Sequence, residues 1–200
     1  MDKKQLKFIH ITKCAGSSIE EAGKKHNIHW GCYDTEYITN IKEVSQWHRF
    51  LSLVDEKTRR KYDWFMIVRD PYDRILSEYY CTHNGIENII HTREEMNKYL
   101  IQKINTFYRS GDHYTPQYMY LDPSTKIHIL RFENLEKEFN DLMCLYNLEH
   151  VVLEKINVRN TKVYNKTRFT IADFSKKLID LINIIYNKDF EIFNYKKIEL

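Results

Sequence analysis

Residues Lys7–Ile19, KFIHITKCAGSSI, decide how this chain folds. Phe8, Ile9 and Ile11 are apolar and β-favouring, which suits a buried strand over Leu6–Ile11. Ala15 and Gly16 are small enough for backbone to approach a ligand closely. Ser17 then opens a helix that runs with Ser18 to about His26. The first amides of a helix, at the positive end of its dipole, attract an anion. Lys13 adds a full positive charge at the turn, next to Cys14. Strand, small-residue turn, helix start and cation together make a phosphate cradle.

Farther along, Trp64–Tyr80, WFMIVRDPYDRILSEYY, repeats the layout. Trp64–Val68 reads as a central strand and ends at Arg69. Asp70 is placed to cap a helix, Pro71 suits its first position and Asp73 its first turn, and the helix is expected to reach Tyr80. In an open parallel sheet, ligands bind beyond the C-terminal ends of the strands, so both cradles belong on one edge. Arg69 offers a planar fork of donors and Ser77, two helical turns on, a hydroxyl, a pair suited to one phosphate. The alternatives are an ion pair of Arg69 with Asp70 or Asp73, and a helix-packing role for Ser77.

Working outward, periodicity predicts a short strand within Ile28–Ile38 and helices over Lys42–Val54, Asp55–Tyr62, Thr92–Phe107, Pro116–Leu121 and Asn134–Tyr146. Lys126–Leu130 reads as a third strand, Asn157–Thr167 as loop and Thr170–Tyr186 as one long helix. Strands alternating with helices indicate a single α/β domain over residues 1–200, with a mainly parallel central sheet flanked by helices.

A net charge of +3 demands neither a nucleic-acid nor a membrane partner. Cys14, Cys32, Cys81 and Cys144 contain no C-x-x-C pair and fit a reducing compartment. His26, His29 and Cys32 recur every three residues, but no fourth ligand accompanies them, so no metal is expected there. No apolar run follows Lys3 and Lys4, and Leu178–Tyr186 is too short to span a bilayer. The expectation is a soluble, cytoplasmic chain.

The Walker pattern places its lysine after the second glycine, whereas Lys13 precedes Gly16 and no G-K-S or G-K-T occurs. The order K-x-x-G-S-S after I-H-I resembles the 5′-phosphosulfate loop of sulfotransferases. V-R-D-P-Y-D-R-x-x-S-x-Y, from Val68, resembles their 3′-phosphate motif. The likeness is closest to carbohydrate sulfotransferases of the chondroitin, dermatan and HNK-1 type and their bacterial and viral relatives. Trp47-His48-Arg49-Phe50, Tyr114-Thr115-Pro116-Gln117 with Tyr120-Leu121, Leu130–Leu135, Asn157, Tyr164 and the terminal Tyr186…Asp189-Phe190…Tyr195 are similar to further segments of that group. Thr12 and Cys14 depart from its usual Pro and Thr.

The resemblance implies a core related to P-loop kinases and the donor 3′-phosphoadenosine 5′-phosphosulfate, PAPS, with PAP as product and no metal requirement. It places the 5′ side of the donor on Lys13, Cys14, Ala15, Gly16, Ser17 and Ser18, and the 3′-phosphate on Arg69 and Ser77; Lys166 and Arg168, in the late polar loop, are candidates to close over it, the alternative being plain exposed loop cations. Lys13 would stabilise the leaving phosphate. His48 is the candidate base, with Glu78 and Glu133 as alternatives; His48 can also be a packing residue beside Trp47. Glu78 is otherwise expected to pair near Arg69 or Arg74, and Glu133 to brace the junction after Arg131. His113, Tyr114 and Gln117 would face a hydroxyl acceptor, a saccharide by the family likeness, although aromatic packing explains the tyrosine equally well. Two rival readings remain: a kinase on a related core, which needs Mg²⁺ and the missing Walker loop, and a non-catalytic module for a nucleotide or sulfated glycan.

Overall fold

Three parallel strands, β1 (Leu6–Ile9), β2 (Asp63–Val68) and β3 (Ile127–Arg131), form a sheet in the order β1-β2-β3. The computed structural model describes residues 4–31, 48, 50–81, 92–106, 113–153 and 169–199. Two units make up the chain, one of Met1–Arg69 with Met119–Asn157 and the other of Asp70–Tyr118 with Val158–Leu200.

The sheet belongs to the first unit. Lys7 lies opposite Trp64 and Phe8 opposite Phe65, while Trp64 pairs with Ile127 and Val68 with Arg131. Trp64–Val68 is buried throughout, as a strand covered on both faces must be. The first unit also holds helices α1 (Gly16–Lys25), α2 (Glu56–Lys61) and α5 (Leu135–Leu145). Phe65 of β2 meets the Phe8 ring at 4.9 Å and the Trp30 indole at 5.5 Å, and Trp30 stands edge-on to Phe139 of α5 at 5.9 Å. Each such ring pair adds about 0.5–1.5 kcal/mol beyond the apolar area it buries. α2 is capped by Asp55, which accepts from the Thr58 amide at 2.9 Å.

The expected α/β class and parallel sheet are therefore observed, with local corrections. The described part of Ile28–Ile38 is not a strand; the Trp30 carbonyl accepts one bond from the Phe8 amide at 2.7 Å, and residues 32–38 lie outside the described residues. Lys42–Val54 ends in a 3₁₀ turn, Leu51–Leu53, rather than a described α-helix. Pro116–Leu121 is a 3₁₀ turn over Gln117–Tyr120.

In the second unit lie α3 (Pro71–Tyr79), α4 (Arg93–Thr106), α6 (Lys176–Ile185) and α7 (Asn187–Ile192). Their apolar faces share a core that includes Tyr72 and Ile75 of α3, Leu100 and Ile104 of α4, and Leu178 and Ile182 of α6. Burying one such side chain is worth about 1.5–3 kcal/mol. α4 starts on a reciprocal cap, Thr92 N to Glu95 Oε2 at 2.7 Å and Glu95 N to Thr92 Oγ1 at 3.2 Å. The single long helix expected over Thr170–Tyr186 is broken. A 3₁₀ turn, Ile171–Asp173, comes first, and Ser175 then caps α6. Buried Asn97 of α4 explains the break: its Oδ1 accepts from Ser175 N at 2.7 Å and its Nδ2 donates to the Asp173 carbonyl at 2.9 Å. Among the described residues no helix is long and apolar enough to cross a membrane.

Candidate functional site

From the end of β1 the chain passes through His10 and Ile11 into a turn, Thr12–Ala15, and α1 follows at once. Lys13 and Ala15 are both left-handed, with φ of 59° and 62°. A side chain in that region costs about 1 kcal/mol or more, so tertiary packing holds this turn against its local preference. Turns of this kind aim successive amides into one concavity, which collects anions. Ala15 offers α1 no side-chain cap; Ser18 N and Ile19 N reach back to the Ala15 carbonyl, at 2.9 and 3.2 Å. Lys13 and Ala15 are half-buried, Cys14, Gly16 and Ser18 buried, and Ser17 exposed.

His10 supports the turn. A Cβ on Gly16 would stand 2.0 Å from His10 Nε2, so only glycine lets the imidazole lie against the helix start. Across α1, His10 Nδ1 is 3.9 Å from Glu20 Oε1, both side chains being buried. The motifs by themselves assign His10 no role, although an ionisable side chain between Ile9 and Ile11 was the available signal.

The candidate base His48 stands beside it. The two imidazoles meet edge-on at 4.9 Å, and His48 Nδ1 lies 3.1 Å from the His10 carbonyl. A carbonyl only accepts, so Nδ1 carries the hydrogen and the neutral ring keeps its lone pair on Nε2. Arg69 enters from the end of β2. Its Nη1 donates to the Lys13 carbonyl at 3.2 Å across 56 residues of sequence, and its guanidinium stacks 4.1 Å from the Phe132 ring centroid. Arg69 thus meets Lys13 at the turn and His48 stands against His10, all within the first unit. Asp70 is engaged elsewhere. Its carboxylate caps α3, accepting from Tyr72 N at 2.8 Å and Asp73 N at 3.3 Å.

Ser77, His113, Tyr114 and Gln117 belong to the second unit. Ser77 is buried in α3. His113 keeps a partly exposed side chain, and its Nδ1 donates to Glu78 Oε1 at 2.7 Å. Hydrogen bonding to Cys81 and then to Glu78 raises the His113 pKa to about 10. Glu78 is fully buried and pairs with His113. Buried Arg74 donates through Nη2 to the carbonyls of His113 and Thr115 at 2.9 and 2.8 Å.

Tyr114 and Gln117 are buried, at 2% and 0% exposure. The Gln117 and Tyr118 amides donate to the two oxygens of buried Asp189 at 2.9 and 2.8 Å. Burial pushes the Asp189 carboxyl above the usual carboxylate range. Glu133 is exposed, and Glu138 Oε2 accepts from the Arg131 amide at 2.6 Å at the end of β3. Lys166 and Arg168 lie outside the described residues, as do Trp47, Arg49, Asn157 and Tyr164.

A sequence model of one protein family, described as the sulfotransferase family, matches residues 1–196. No curated protein sequence matches significantly. Among solved structures, the crystal structure of mouse sulfotransferase SULT7A1 complexed with PAP aligns at a TM-score of 0.49 and 9% identity, covering 95% of this chain and 84% of that one.

Proposed function

The chain belongs to the sulfotransferase family, and from that premise we propose that it moves a sulfuryl group from PAPS to a hydroxyl of a saccharide acceptor. The observation that carries the reading is the bond from Arg69 to the Lys13 carbonyl. It brings two cationic segments, distant in sequence, to one left-handed turn at a helix start whose cap residue, Ala15, has no capping side chain. A donor with phosphate on both sides of its ribose calls for two such segments.

In the proposed reaction the acceptor oxygen attacks sulfur in line, a new S–O bond forms, and the bond from sulfur to the 5′-phosphate oxygen breaks. The electron pair leaves on that oxygen, giving PAP. Lys13 and the loop amides, with Ser17 and Ser18, stabilise the charge that gathers there. Arg69 and Ser77 take the 3′-phosphate, with Lys166 and Arg168 as closing cations. His48 accepts the acceptor's proton on Nε2; the His10 carbonyl orients it for this through Nδ1. The rival carboxylates are less suited, because Glu78 is buried against His113 and Glu133 lies exposed after β3.

The test is incubation with PAPS and a panel of glycans, small alcohols and phenols, read by mass spectrometry for a sulfate adduct and PAP. Sulfated glycan is expected. A sulfated phenol or alcohol alone would keep sulfuryl transfer and discard the saccharide. Consumption of ATP in place of PAPS would move the chain to the kinase reading. Calorimetry with PAP that detects no binding would remove the donor assignment altogether.

A further inference from the structure

We propose that Glu78, Cys81 and His113 form a site for a zinc-class divalent cation in the second unit. One carboxylate oxygen, the Cys81 sulfur and one imidazole nitrogen lie within 4.8 Å of one another. Bound to a tetrahedral zinc ion, such atoms stand roughly 3.3–3.6 Å apart. The cluster therefore needs only a small adjustment, chiefly a widening of the 2.7 Å contact between His113 and Glu78.

Local structure fixes all three ligands. Glu78 is in the last turn of α3, and the Cys81 amide donates to its carbonyl at 2.9 Å, so the i, i+3 pair projects from one helix end. His113 arrives 35 residues later, on a segment whose carbonyls at 113 and 115 are both gripped by buried Arg74. Preorganised ligands of this kind bind metal without a large ordering cost. The charges also match. A carboxylate, a thiolate and a neutral imidazole neutralise a 2+ ion, which suits a place where Glu78 is fully buried and Cys81 is 5% exposed. His113, 31% exposed, gives an entry side and room for a water as fourth ligand. Mixed S, N and O donors favour zinc over magnesium or calcium, which take oxygen. On binding, the Cys81 thiol and the protonated His113 each release a proton to solvent, leaving a thiolate and a neutral imidazole as ligands.

Chelator-treated full-length protein is titrated with Zn²⁺ by calorimetry and with Co²⁺ by absorbance. One zinc ion per chain, a melting temperature that rises with zinc, and a near-ultraviolet thiolate-to-cobalt band are expected. Cys81→Ser, folded by circular dichroism, should lose the band and bind zinc at least about a hundredfold more weakly, since even partners behind a metal ligand cost 10–100-fold. A second measurement needs no substitution: zinc should slow alkylation of Cys81, mapped by mass spectrometry, and leave exposed Cys144 unaffected. Absence of stoichiometric zinc binding, a cobalt band that survives Cys81→Ser, or equal zinc effects at Cys81 and Cys144 would each overturn the site.

Discussion

Helices α1 and α3 begin alike in sequence and oppositely in chemistry. Each follows a buried parallel strand and a cationic residue, Lys13 or Arg69. At α3 the Asp70 carboxylate fills the helix start and Pro71 removes one donor altogether. At α1 the cap residue is Ala15, which has no capping side chain, and its left-handed backbone opens the turn instead. One cap residue thus puts a carboxylate at the helix start and the other does not. The lesson is that a strand–cation–helix layout does not by itself make a phosphate site; the cap decides.

Removing the cation at the open end should have the largest effect. Lys13→Ala is expected to lower turnover with PAPS about 10²–10³-fold, the usual cost of one preorganised donor to a developing oxyanion; an unchanged rate in single-turnover kinetics would remove Lys13 from the chemistry. Making α1 resemble α3 is the next test. Ala15→Asp supplies a capping carboxylate that tolerates the left-handed backbone, and PAP affinity measured by calorimetry should fall about a hundredfold, the worth of one or two charge-assisted bonds, while the fold persists.

A different closed pair of amides, those of Gln117 and Tyr118 on Asp189, permits a smaller perturbation. Asp189→Asn keeps one acceptor and turns a donor toward the other amide, so denaturant unfolding should show a loss of about 1–3 kcal/mol. Asp70→Ala should cost about 1 kcal/mol of stability and leave PAP affinity unchanged; a matching loss of affinity would show that α3's start is part of the donor site after all.

The gentlest probe is pH. His113 has a pKa of about 10 in the folded chain against an ordinary value of 6.5, so it holds its proton more tightly when folded. The stability this provides is fully present below about pH 6.5 and disappears as pH rises through about 10. Denaturation of the metal-free protein across that range should show a decline that His113→Gln flattens.

Much of this was legible in the residues. The Lys7–Ile19 and Trp64–Tyr80 stretches gave strand, turn and helix in the right order, and Asp70 and Pro71 announced the α3 cap correctly. These readings succeeded because strand burial and helix capping depend on neighbours within a few residues. Readings that depended on distant partners fared less well. Nothing near Glu78 in the chain names His113 as its partner, and nothing near Ser175 reveals that Asn97 will break the last helix.

By itself, then, the sequence determined the α/β alternation, the two cationic strand ends and the family to which they point, since each is written in local spacing. Tertiary structure alone decided that Arg69 grips the Lys13 carbonyl, that His10 both seats Gly16 and orients His48, and that Tyr114 and Gln117 turn inward. The physical reason is that a hydrogen bond between residues 56 positions apart is fixed by sheet register and packing, for which no local run of side chains carries a signal.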